Sequence, residues 1–293
     1  MNGFPLQIEK QYVRYVERLL NQVDREILTQ LKKSVDLTDY RSDSPLAYND
    51  NLDSFMRWLS EYVSGFRKSE VFKKLEQTTK NTIKSVNNFH RNFTRSKIKQ
   101  QIKEAKKIEN FLRPNAFFAT FEVPRPDSAL IEGIVDKNVA LISEQFDIYK
   151  DTIQASISNK IRSGITRAEL IKELQKETGV TRSKAKFWAS DQLGKASSAL
   201  SLENQTAAGF EEFIWETQRD GRVRDDHAVL QGKKFRYDRP PVIDGRQILP
   251  GEDYNCRCFQ NPVTPGTPEN PPDQRLKDLK TIYARKAAMA GGS

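Results

Sequence analysis

The chain has 293 residues, 37% of them hydrophobic and 30% charged, with a formal charge of +9. That is enough for one large or two modest domains with a proper core, in the balance expected of a soluble, helix-rich protein. No window approaches ~18 uninterrupted apolar residues, the first ten residues lack the apolar stretch of a secretory signal, and two cysteines cannot build a disulfide framework, so a reducing cytoplasm is the expected setting during assembly.

Residues 8–33 read as a helix, because Ile8, Tyr12, Tyr15, Val16, Leu19, Leu20, Val23, Ile27 and Leu31 recur at steps of three and four. A loop rich in Asp, Ser and Pro follows from Asp36 to Asp50, then a second helix over 51–66 with Phe55, Trp58, Leu59 and Tyr62 on its apolar side. Residues 67–112 continue a helical pattern with an interrupted apolar stripe, and its phenylalanines are expected in a core before they are expected to stack on bases. Three prolines between 113 and 128 mark the main break. From Ala129 to Arg162 apolar residues again step by threes and fours, a stripe that suits a partner helix or a neighbouring subunit.

Thr166 to Glu169 is a capping box. It opens a helix expected to close at Gly179, before another from Thr181 to Ala208 that stops at Gly209. Phe210–Thr217 reads as a strand and Asp220-Gly221 as a tight turn. Further strands are expected at Lys234–Tyr237 and Cys256–Pro262, with a Pro/Gly-rich loop over 239–251 between them. A Pro-rich linker, a basic stretch (274–286) and an Ala/Gly tail close the sequence. The expected class is α+β, predominantly α-helical, with a small C-terminal module of short strands. Its expected segments are a helical region over 1–125, a helical lead-in over 126–209, the module over 210–262, and a linker with a basic tail over 263–293.

The positive charge is concentrated. Between Arg67 and Lys107 thirteen Lys and Arg face only Glu70, Glu76 and Glu104, which leaves about +10 on that segment. A polyanion partner is one reading and a solvated helix face the other. For the first, Lys73, Lys74, Lys80, Lys84, Arg91, Arg95, Lys97, Lys99, Lys103, Lys106 and Lys107 are the candidate contacts to double-stranded DNA.

Both cysteines, Cys256 and Cys258, and one of two histidines, His227, fall in one short block. On an extended chain Cys256 and Cys258 share a face and Arg257 points away. Thiolate and imidazole suit zinc, with a fourth ligand from Asp225, Asp226, Asp253 or water, but a CxC spacing is poor for a closed tetrahedral site. Packing of the thiols as small apolar groups, with His227 bonded to a carbonyl or an Asp, is the favoured reading, so no cofactor is expected. Trp215 is expected in the core beside Phe213. Arg222 and Arg224, flanked by Asp220, Asp225 and Asp226, read as ion pairs that lock a turn, or as contacts to phosphate or a protein partner. A Cys–His nucleophile or a His–Asp nuclease needs more than a lone histidine and a CxC, so an enzyme is not expected.

The run Trp215, Thr217, Asp220, Arg222-Val223-Arg224, His227, Leu230, Gly232, Pro250-Gly251 and Asn255-Cys256-Arg257-Cys258 resembles the phage Mu F-like minor head proteins, the head morphogenesis proteins of tailed bacteriophages. With the helical lead-in from Ile161, the resemblance covers about residues 150–262. Trp188-Ala-Ser-Asp191 departs from it, standing where the family often shows Ala-Arg-Thr-Glu. What the resemblance implies is a low-copy virion protein inside the capsid near the portal vertex. It would associate with portal protein, and with other head proteins, and would assist assembly, DNA packaging or ejection. The alternatives are a non-catalytic DNA-binding ejection protein and a toxin-like metal-dependent or Cys–His enzyme built on the C-terminal module.

Overall fold

The structure, a computed structural model, describes residues 3–36, 50–105, 123, 128–163 and 166–263. Among the described residues the long helices come first: α1 (Leu6–Asp36), α2 (Asp50–Phe66), α3 (Glu70–Ala105), α4 (Ser128–Arg162) and α5 (Arg167–Ala207). They are followed by β1 (Glu212–Glu216), the one-turn α6 (Asp225–Ala228), β2 (Lys234–Arg236), β3 (Val242–Ile243), β4 (Arg246–Gln247) and β5 (Phe259–Pro262). The class is α+β and predominantly helical, as the periodicity indicates. Lys106, Lys107, residues 113–122 of the proline-marked break, and everything after Val263 lie outside the described residues.

The chain forms two compact units that interleave in sequence. One contains residues 9–82 and 132–190, the other residues 1–8, 83–131 and 191–293. The first unit is helical. Its apolar steps on α1 bury Tyr12, Val16, Leu20, Val23, Ile27 and Leu31, with Phe55, Leu59 and Val63 from α2 and Leu75 from α3. The stripe on α4 is consumed inside this unit, where Val135, Val139, Ile142, Tyr149, Ile153 and Ile157 are buried. Polar tips meet across helices: Tyr12 Oη and Thr79 Oγ1 at 3.1 Å, and Tyr149 Oη donating to Asp24 Oδ1 at 2.7 Å. Each satisfies a group that would cost a few kcal/mol if buried alone.

Helix ends follow local chemistry. Ser69 caps α3, its Oγ accepting from Phe72 N–H at 3.1 Å. The capping box at the start of α5 is formed: Thr166 N–H donates to Glu169 Oε2 at 3.0 Å and Glu169 N–H to Thr166 Oγ1 at 3.3 Å. At the other end Phe210 N–H reaches Gln205 O and Gly209 N–H reaches Thr206 O, a Schellman closure with Gly209 at φ 80°. The expected stop at Gly179 is not there. The backbone of α5 runs unbroken for 41 residues. A glycine inside a helix costs only about 1 kcal/mol, and no proline follows to enforce an ending.

In the second unit α3 and α5 pair antiparallel. Asn204 Nδ2 donates to Asn87 Oδ1 at 2.9 Å, and His90 Nε2 lies 2.8 Å from Ser197 Oγ. The sheet has the order β2-β1-β5, antiparallel throughout, with Phe213 opposite Phe235 on one side and Pro262 on the other. Phe213, Ile214 and Trp215 of the central strand are all buried.

Two expectations about the strands need correction. The 239–251 loop contains a small ribbon, β3 paired with β4, closed by Asp244 (φ 49°) and Gly245 (φ 74°). That is the left-handed pair a type I′ turn needs, and Asp-Gly is its common sequence. The last strand starts at Phe259 rather than Cys256, because Asn255 at φ 48° and the turn closed by Cys256 N–H on Asp253 O delay pairing.

Candidate functional site

The conspicuous residues of 215–258 converge beneath β1. Short α6 presents His227, which is 2% exposed. The segment before β5 presents Cys256 and Cys258, at 6% and 4% exposure. Although they precede the strand, both thiols turn to the same side, with His227 Nδ1 3.4 Å from the Cys256 Sγ and 3.6 Å from the Cys258 Sγ. All three donor atoms lie within 4.8 Å of one another. The Trp215 indole stands edge-on to the imidazole, with ring centroids 5.4 Å apart. Phe213, Ile243, Ile248 and Leu249 complete the apolar cluster around the thiols.

His227 does not meet a backbone carbonyl. Its second nitrogen, Nε2, faces Asp253 Oδ2 at 3.4 Å without completing a hydrogen bond, and Asp253 is gripped by Arg224 Nη1 at 2.6 Å. Arg224 Nη2 also donates to the Tyr254 carbonyl at 2.5 Å, so this one guanidinium ties α6 to the loop before the thiols.

The two thiols are unlike. The Cys258 thiol hydrogen-bonds to Cys256 and holds the Cys256 pKa well below the ordinary thiol range; burial opposes this and His227 adds to it. Burial, followed by that neighbouring sulfur, pushes Cys258 up. Burial on its own would lower His227, but its bond to Cys256 and the charges of Cys256 and Asp226 raise it overall.

Around this centre the polar residues brace one another. Thr217 N–H and Oγ1 both donate to Gln231 Oε1 at 2.7 Å, and Gln231 Nε2 donates to Glu216 Oε2 at 2.6 Å. The expected ion pairing of Asp220 with its neighbouring arginines takes a different form. Asp220 Oδ2 accepts from Arg257, its Oδ1 accepts the Arg222 N–H at 3.1 Å, and the Arg222 side chain is exposed. Gly232 at φ 77° donates its N–H to the Trp215 carbonyl at 2.8 Å, which is the turn into β2.

Asp191, the last residue of the Trp188–Asp191 segment, pins the site to α5. Its buried carboxylate accepts from Asn255 N–H at 2.9 Å and from Lys195 Nζ at 2.8 Å. It lies in the segment that departs from the family pattern, so an acid still stands there.

The basic candidates are dispersed along α3. Lys73 is paired with Glu70 at 2.7 Å. Arg91 Nη2 donates to the Val123 carbonyl at 3.0 Å, and Lys97 sits over the Phe93 ring at 5.3 Å. Lys80 is half-buried and Lys74 exposed in the first unit. In the second unit Lys84, Arg95, Lys99 and Lys103 are exposed, at spacings of eleven, four and four that keep them on one helix face. Phe72 and Phe93 are core residues, with Phe93 edge-on to Phe259.

Comparison with known proteins gives the same region a relationship. Residues 151–261 match the family model described as Phage Mu protein F like protein. An uncharacterized protein of Haemophilus influenzae is 30% identical over 133 residues, which are 45% of this chain and 29% of that relative's length. No solved structure gives a significant match. The matched segment takes in the end of α4, all of α5, the three-stranded sheet and the thiol–imidazole centre. Residues 151–261 are therefore similar to the phage Mu F-like proteins, and the chain spans less than a third of the length of the Haemophilus influenzae relative.

Proposed function

We propose that this chain is a structural protein of a tailed-phage head, held inside the capsid near the portal vertex. Portal protein would be its partner, and assistance to head assembly, DNA packaging or genome ejection its role. One observation carries this reading: the Mu F-like match takes in a self-braced module over residues 191–261. In that module Asp191, Asp220, Arg224, Gln231 and Asp253 all spend their polar groups on the chain itself. Such an arrangement suits a scaffold that must survive mechanical stress inside a filled head. The thiols and imidazole are buried, which gives a Cys–His nucleophile no approach for a substrate. The experiment is co-purification. Tagged chain and portal protein, expressed together, should elute as one complex, and elution as two separate species would reject the partner.

Direct contact with DNA is a second reading, and the exposed row Lys84, Arg95, Lys99 and Lys103 favours it. Among the described residues no helix is long and apolar enough to cross a membrane.

A further inference from the structure

We propose that His227 Nδ1 and the thiolates of Cys256 and Cys258 bind one zinc-class divalent ion, which staples α6 to the segment entering β5. This does not depend on the head assignment. Zinc–sulfur bonds of ~2.3 Å and zinc–nitrogen bonds of ~2.0 Å at a tetrahedral angle place nitrogen and sulfur about 3.5 Å apart. The two nitrogen–sulfur separations are 3.4 and 3.6 Å, so the imidazole already stands from each thiol as such an ion would hold it, and all three donors lie within 4.8 Å of one another.

The surroundings fit the same ion. Metal-bound imidazoles commonly present their other nitrogen to a carboxylate, which fixes the ring and raises its basicity. Here Asp253 Oδ2 takes that place at 3.4 Å from Nε2, itself oriented by Arg224. Asp253 is thus a supporting group on the far nitrogen and not a fourth ligand. The Cys258 N–H points at the Cys256 sulfur at 3.4 Å, a donor that stabilises a thiolate. Two sulfurs and one nitrogen select zinc or a similarly soft ion over magnesium or calcium, and with three protein ligands the fourth position goes to water. A disulfide between residues two apart would be strained, so the pair is better employed as ligands.

The test uses the full chain, purified under strong reduction, stripped with chelator and titrated with cobalt. Binding should saturate at one cobalt per chain, with thiolate-to-metal charge-transfer absorption, and added zinc should displace it. Cys256→Ser and Cys258→Ser should each abolish the band. Asp253→Asn retains all three ligands, and should keep the band with affinity weakened about tenfold or more. Because the wild-type titration needs no variant, misfolding of a serine variant leaves it decisive. A folded wild-type chain that gives no thiolate–cobalt band overturns the proposal, as does a Cys256→Ser/Cys258→Ser double variant that retains stoichiometric zinc.

Discussion

Gly194 of α5 lies against the Cys256 carbonyl so closely that a Cβ built on it would stand 2.9 Å from that oxygen. The loop answers with a glycine of its own. A Cβ on Gly251 would meet Ser198 Cβ at 3.1 Å and the Gly194 carbonyl at 3.2 Å, and Gly251 sits at φ 96°. Two absent side chains thus let the thiol segment seat on the helix.

Gly194→Ala should therefore destabilise the protein by about 1–3 kcal/mol, against the ~1 kcal/mol gain of alanine in an open helix. Gly251→Ala should cost at least as much, since crowding is joined by left-handed backbone strain. The midpoint of urea unfolding measures both. An unchanged or raised midpoint for Gly194→Ala would show that the contact is not close.

Asp191 joins the same helix to the same loop. Asp191→Ala leaves the Asn255 N–H without its acceptor and Lys195 without its carboxylate, so a loss of roughly 1–3 kcal/mol is expected. Asp191→Asn keeps an acceptor oxygen and should lose less. Denaturant titration of the two variants side by side reads the difference, and equal losses would mean that the charge matters more than the acceptor.

Full burial pushes the pKa of His90 down to about 3. Its Nε2 is engaged with Ser197 Oγ and its Nδ1 has no hydrogen-bond partner. Between the ordinary imidazole value near 6.5 and about 3, the unfolded chain binds the proton and the folded chain does not. The contribution is complete above the unfolded value and is lost as pH falls through that window, by up to ~1.4 kcal/mol per pH unit. Thermal unfolding of wild type and His90→Asn across pH 4–7 should show a shallower slope for the variant. Parallel slopes would exclude His90 as a source of acid sensitivity.

Replacing Lys84, Arg95, Lys99 and Lys103 together by alanine should weaken non-specific DNA binding and flatten its salt dependence. Four lost phosphate contacts correspond to a change of about 3–4 in the slope of log K against log salt. Fluorescence anisotropy with a duplex of arbitrary sequence supplies the measurement. Identical slopes would remove the basic face of α3 as a DNA-binding surface.

Much of this architecture is legible in the sequence. The stripes on α1 and α4, the Thr166–Glu169 box and the Gly209 stop each rest on chemistry within a few residues, and all are formed. The grouping of His227 with Cys256 and Cys258 was visible as scarce residue types in one block. Their common centre was less visible, since it depends on the α6 turn and on Asn255 bending the chain. Gly179 misled because a single glycine is a weak signal against a continuing helix. The β3–β4 ribbon was readable from Asp244-Gly245 but was masked by the surrounding prolines and glycines. Asp191 and Asn255 lie 64 residues apart, and no local pattern announces such a pair.

The most direct measurement of the central reading is the protein content of DNA-filled phage heads, purified, nuclease-treated and quantified by mass spectrometry. The expected result is a few copies of this chain per head, retained with the portal protein when the capsid shell is dissociated. Its absence from filled heads, with the chain recovered only from the host lysate, would contradict a structural role in the head.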